Sequence, residues 1–147
     1  MIELRQASID DLDNLVESFE AYRVWYRKEP NPTAAKQFLR DRINKQESVI
    51  FIAEENQSLL GFTQLYPLFS STRMKRLWLL NDLFVYPAQR GKGISKKLIE
   101  AAKDHCRKTN GCGITLETEI SNEIGNKLYL ATDFKLNKDH HFYEWNS

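Results

Sequence analysis

The sequence predicts a single α/β domain on a mixed sheet, and three observations lead there. Apolar residues recur with period two and with period near 3.6 in alternating segments along all 147 residues, which reads as strands interleaved with helices. No repeat, linker or low-complexity tract interrupts them, so residues 1–147 read as one domain. A long apolar run stops at Pro87, and a short basic turn with two glycines then opens an amphipathic helix.

In chain order, Ile2 to Ala7 alternates as a strand. Ser8 and Asp11 form a capping-box pattern ahead of Leu12, Leu15, Val16, Phe19, Arg23 and Tyr26, which share one helical face. Pro30 and Pro32 are expected to end that helix. Residues 33–45 make a second helix on Phe38, Leu39 and Ile43, and Val49 to Ala53 with Leu59 to Leu68 read as a hairpin across Asn56-Gln57. A long strand from Arg76 to Val85 follows, then a helix from Gly91 to about Thr109 with Ile94, Leu98, Ala101, Ala102 and Cys106 inward. A strand from Gly113 to Glu119, a helix after Asn122, and two short strands near Phe134 and from Phe142 to Trp145 complete the expected order.

Charge and composition restrict the function classes. With 21 basic and 20 acidic residues the net charge is +1, so nothing global draws the chain to nucleic acid or to a membrane, and any basic site is local. No apolar run reaches the roughly 18 residues of a membrane span, and Met1-Ile-Glu-Leu-Arg lacks a secretion signal's layout, so a cytoplasmic protein is expected. Cys106 and Cys112 stand without a neighbouring ligand set; a structural thiol is expected at Cys106, and neither a disulfide nor a metal site.

The segment Asp82-Leu-Phe-Val-Tyr-Pro-Ala-Gln-Arg-Gly-Lys-Gly-Ile-Ser95 carries the chemistry. Gly91 and Gly93 let the backbone turn tightly and let a ligand approach its N–H groups, while the next helix aims unpaired donors and a positive dipole end at an anion. A P-loop would need Lys then Ser or Thr directly after Gly93, and a dinucleotide fingerprint a third glycine where Lys96 stands, so both are excluded. Arg90-Gly-Lys-Gly-Ile-Ser95 instead resembles the pyrophosphate motif of the GNAT superfamily of N-acetyltransferases, Arg/Gln-x-x-Gly-x-Gly/Ala, with Ser95 in the last small position. About thirty residues downstream, Asn122-Glu-Ile-Gly-Asn-Lys-Leu-Tyr129 with Asp133-Phe134 resembles the family's Asn-x-x-Ala-x-x-x-Tyr helix and closing Gly-Phe. Gly61-Phe62 extends the resemblance into an earlier strand.

The resemblance implies a mixed, mostly antiparallel central sheet flanked by helices, acetyl-CoA as the acetyl donor, and a homodimer, the last supported by the aromatic segment His141-Phe-Tyr-Glu-Trp145. It also implies roles. Leu83, Phe84 and Val85 would lend backbone groups to the cofactor's arm, with the Leu83 N–H as oxyanion donor. Arg90, Gly91, Lys92, Gly93, Ile94, Ser95 and Lys96 would hold the pyrophosphate, with Lys97 an alternative to Lys96, and Asn122 would hydrogen-bond the arm. Tyr129 takes the general-acid position, seven residues after Asn122 and therefore on the same helical face.

The base stays open. Leu79 stands where several members have a glutamate, and Asn81-Asp82 where diamine-type enzymes have Glu-Asp. Asp82 binds the cationic amine or relays its proton in one reading; Glu117 or Glu119 does so in another. Tyr22, Trp25, Tyr26 and Glu29 fall where the family shapes its acceptor cleft, beside Asn81 and Asp82, and aromatic walls with carboxylates suit a cationic alkyl chain. The Asn-Asp-Leu-Phe-Val run resembles the branch holding histone-type and polyamine acetyltransferases. Expected is transfer to a primary amine of a small molecule by direct attack in a ternary complex. A protein lysine or N-terminus is the alternative acceptor, and a non-catalytic acyl-CoA-binding module the alternative class.

Overall fold

The structure, a computed structural model, describes residues 1–147. The chain divides into two units, Met1–Glu117 and Thr118–Ser147. The first carries a five-stranded sheet in the order β1 (Glu3–Gln6), β2 (Val49–Glu55), β3 (Ser58–Ser70), β4 (Lys75–Val85) and β5 (Ile114–Thr115). Neighbours pair antiparallel except β4 with β5, which run parallel, so the mixed, mostly antiparallel sheet is as expected. Helices α1 (Leu12–Trp25) and α2 (Pro32–Asn44) share one core with Ile50, Ile52, Phe62 and Phe84, whereas Ile94 and Leu98 of α3 (Ile94–Lys108) pack with Ala53, Leu60 and Val85. Alternation along a strand makes these the two faces of the sheet.

Local chemistry sets the ends of the elements. The capping box forms: the Ser8 N–H donates to Asp11 Oδ2 at 2.8 Å, although it first nucleates a 3-10 turn (Ile9–Asp11). Helix α1 stops at Trp25, before the prolines, because Arg27 turns left-handed at φ 64° and the Lys28 N–H reaches back to the Arg23 carbonyl. Pro32 opens α2 after an Asn31 cap and does not terminate α1. Asn56 and Gln57, at φ 51° and 65°, close the β2–β3 hairpin with the twist its strands require.

Three further expectations are corrected. Helix α3 begins at Ile94, since Gly93 is its left-handed N-cap, and its buried stripe takes Ile99 where Ala101 is only half-buried. Strand β5 has two residues in place of a run to Glu119; its ladder ends at Leu79, two residues before β4 bulges. In the second unit, α4 (Glu123–Ala131) closes on Asp133 at φ 67° with the Phe134 N–H on the Tyr129 carbonyl, but no strand forms near Phe134 or from Phe142 to Trp145. An isolated strand leaves its backbone groups without a ladder, and within one chain this segment has none. Phe142, Tyr143 and Trp145 are exposed. No helix is long and apolar enough to cross a membrane.

His105 lies on the α3 side of the sheet, its ring 4.7 Å from that of Trp78 and 5.6 Å from that of Phe51. Burial, helped by Lys108, holds its pKa below the ordinary histidine value. The unfolded chain therefore takes up this proton first, and stability falls as pH drops below about 6.5. His105→Phe, which keeps a ring against Phe51 and Trp78, is expected to lose less stability than the wild type between pH 7.5 and 5.5 in urea denaturation.

Candidate active site

The site begins with one extra residue in β4. Leu65 pairs with Leu80 but Gln64 with Asp82, so Asn81 is a bulge. Before it, Trp78 packs toward His105 of α3; after it, Phe84 joins the α1–α2 core and Val85 the α3 core. Unbroken alternation would have put Trp78 and Phe84 on one face; the bulge reverses the parity. Asp82 is thereby delivered to the α1 side.

The same inserted residue re-aims the backbone. The Tyr86 N–H bonds the Leu60 carbonyl on β3, so Phe84 also faces β3 and the N–H and C=O groups of Leu83 and Val85 face the other edge. Beyond Leu79 that edge has no ladder. The Val85 carbonyl accepts from Arg90 Nε at 3.0 Å, and the Arg90 guanidinium stacks 4.4 Å from the Trp25 ring centroid. Arg90, expected among the phosphate-facing cations, thus ties the end of α1 to the end of β4.

The turn after β4 is open. Gly91 and Gly93 sit at φ 81° and 76°, and a Cβ on either would meet nothing within 4 Å. Gly93 gives α3 no side-chain cap, and the first helical bond runs from the Lys97 N–H to its carbonyl. The amides of Ile94, Ser95 and Lys96 therefore have no partner in the helix. Lys92 Nζ reaches Gln89 Oε1 at 2.7 Å, and Lys96 and Lys97 are exposed. This donor set, unobstructed and at a helix N-terminus, fits a pyrophosphate.

Asp82 is 3% exposed and lies among neutral donors. Gln64 Nε2 donates to its Oδ2 at 2.6 Å and Asn81 Nδ2 to its Oδ1 at 3.0 Å. Burial pushes its carboxyl above the usual range, opposed chiefly by the bonds from Gln64 and Asn81. The Tyr22 hydroxyl donates to the Asn81 carbonyl at 3.3 Å, and its ring lies 5.0 Å from that of Tyr26. Tyr22, Asn81 and Asp82 are thus brought together. Glu29 is exposed and contributes its carbonyl to Arg23. Gln64 is a site residue that the sequence does not single out, because only the register of β3 against β4 sets it opposite Asp82.

In the second unit Asn122 caps α4: its Oδ1 accepts from the Gly125 N–H at 3.1 Å and its Nδ2 donates to Thr118 Oγ1 at 2.9 Å. A Cβ at residue 125 would collide with that carboxamide, which accounts for glycine where the motif has alanine. Tyr129 is half-buried and packs edge-on to Phe134 at 5.8 Å. Glu117 and Glu119 are exposed.

A buried carboxyl with a raised pKa stabilises the fold below pH ~4 and loses that contribution as pH rises through its folded pKa. Above that folded pKa the ionised Asp82 opposes folding. Asp82→Asn, which Gln64 can still hydrogen-bond by turning its amide, is expected to raise Tm at pH 7 relative to the wild type and to lose that advantage at pH 4, measured by calorimetry.

Residues 12–134 match the model of the Acetyltransferase (GNAT) family. The chain is 44% identical over 134 residues to an uncharacterized N-acetyltransferase, YhfO, of Bacillus subtilis (strain 168), covering 91% of this chain and 90% of that one. The crystal structure of a probable acetyltransferase superposes with TM-score 0.94 at 33% identity, over 99% of this chain and 97% of that one. A predicted acetyltransferase from Clostridium acetobutylicum, solved with acetyl-CoA, shares the fold with TM-score 0.82 at 20% identity, over 99% and 96% of the two chains. The chain therefore belongs to the GNAT acetyltransferase family and is an acyltransferase.

Proposed function

We propose that this enzyme takes an acetyl group from acetyl-CoA and passes it to a primary amine of a small, polyamine-like or amino-acid-like molecule by direct attack in a ternary complex. The observation that carries the reading is the unpaired edge of β4 running directly into the open Gly91–Gly93 turn. Acetyl-CoA supplies a thioester at the acetyl carbon and a thiol leaving group. The amides of Gly91 through Lys96 bind its pyrophosphate, and Lys92 and Lys96 add charge at the rim. Along the β4 edge, the Leu83 N–H and carbonyl and the Val85 N–H offer the backbone groups that a pantetheine arm needs, and the Leu83 N–H faces where an oxyanion would develop. Phe84 faces β3, so its part is to hold the edge in place.

The acceptor reading rests on Asp82. A buried carboxylate with no cation of its own attracts an ammonium, and Tyr22 and Tyr26 give the alkyl chain aromatic surface. An alkyl ammonium of pKa ~10.4 must lose a proton before its nitrogen can attack, and on this reading Asp82 takes it. The C–N bond then forms as the C–S bond breaks; the amine nitrogen loses its second proton to solvent as the amide forms, and Tyr129 gives its phenolic proton to the leaving thiolate and regains one from solvent. Asn122 serves that step by capping the helix that carries Tyr129. A panel of amines assayed for acetyl-CoA-dependent thiol release identifies the acceptor class; protein tails reacting in preference to every small amine would overturn it.

Two variants test the roles. Gly93→Glu, which brings a side chain and a negative charge into the pyrophosphate space, is expected to abolish acetyl-CoA binding by calorimetry; unchanged affinity in folded protein would remove the turn from the site. Tyr129→Phe keeps the ring and its contact with Phe134, so affinity and Tm should hold while turnover falls by ~10²-fold or more. The defect should shrink with an acyl donor whose thiol is more acidic. Near wild-type turnover with either donor would end the acid assignment.

A further inference from the structure

Gln64 stands out among the buried polar groups because half of its carboxamide is unused. The residue is fully buried; Nε2 donates to Asp82 Oδ2 at 2.6 Å, while Oε1 accepts nothing. A buried carbonyl without a donor is destabilising, and leucine or methionine in its place would leave no polar group unpaired. An amide differs from both in offering a donor to a carboxylate and, turned over, an acceptor to a carboxylic acid.

The surroundings sharpen this. The groups that titrate near Asp82 are Tyr22 from α1 and Tyr66 on β3, with Arg42 of α2 acting on Tyr66. No lysine or arginine shares the carboxylate, so its state depends on neutral donors, and Gln64 supplies the shortest bond among them. Burial also holds the Tyr66 phenol well above its ordinary pKa, so that it stays a neutral hydroxyl close to the Gln64 side chain. A hydroxyl can give or accept a hydrogen bond, so it tolerates either orientation of that amide.

We propose that Gln64 is a positioning residue for proton removal at the acceptor site: its N–H holds Asp82 as a carboxylate toward α1, and its carboxamide turns over to accept the Asp82 O–H once the proton of the incoming ammonium has been transferred. The step balances, since R–NH3⁺ and the carboxylate become R–NH2 and the carboxylic acid, with no other reactant. The proton returns to solvent after acetyl transfer. This deepens the assignment of Asp82 above and rests on it.

The test reads Asp82 directly. Infrared difference titration of the folded enzyme yields a protonated-carboxyl band for Asp82, identified by its absence in Asp82→Asn. Gln64→Met removes the donor and is expected to move that midpoint up by about one pH unit, with the acid limb of kcat/KM for the best acceptor of the amine panel moving equally. Gln64→Glu keeps the shape if the methionine variant does not fold, and raises the midpoint further because two adjacent carboxyls cannot both ionise. A merely structural glutamine predicts a lower Tm with both midpoints unmoved, and that result overturns the proposal. If Asp82→Asn keeps the wild-type acid limb, the assignment of Asp82 itself fails. If it removes the limb while the Gln64 variants leave the band in place, only the role of Gln64 fails.

Discussion

One inserted residue in one strand governs the geometry of this enzyme. Without Asn81 as a bulge, Asp82 would share the α3 face with Trp78, and the Leu83 and Val85 backbone groups would be consumed in the ladder with β3. The bulge exchanges both. It also marks where β5 stops pairing, because a bulged, more strongly twisted strand no longer presents a straight edge to a parallel neighbour. Side chain and backbone are thus re-aimed by the same device, a carboxylate to one face and a row of donors to one edge.

The consequence is an arrangement that works against folding at the bulge. Asp82 is ionisable, nearly inaccessible and held by amides, and an apolar residue in its place would let the sheet bury more cleanly. The two cores on either side absorb the burden. Leu15, Leu39, Ile52 and Phe62 on one side and Ile94, Leu98 and Ile99 on the other are essentially inaccessible, each worth roughly 1.5 to 3 kcal/mol of burial.

Much of this was legible in the sequence, for reasons that can be stated by residue. Alternation and helical periodicity are properties of single segments, so β1 to β4 and α1 to α4 could be read within a few residues, and the two glycines of the turn announced their left-handed backbone. What escaped depends on a second segment. The bulge at Asn81 exists only in register with Gln64 and Leu65, so the parity of Asp82 and the relevance of Gln64 could not be seen along β4 alone. The stacking of Arg90 is not legible in its own segment because Trp25, its partner, lies 65 residues earlier. The aromatic C-terminal run carries strand propensity, but propensity without a neighbouring strand yields no strand.

The connection between α1 and α2 is held from within. Glu20 accepts from Arg23 and from the Asn31 N–H, Arg23 donates onward to the Glu29 carbonyl, and Arg27 supplies the left-handed corner. These bonds all belong to residues 20–31, and the Arg90 guanidinium stacked on Trp25 ties the start of the loop to the end of β4. Such a loop behaves as a cassette. Its length and charge can change while the bulge, the open edge and the glycine turn, which lie in other segments, keep their own bonds.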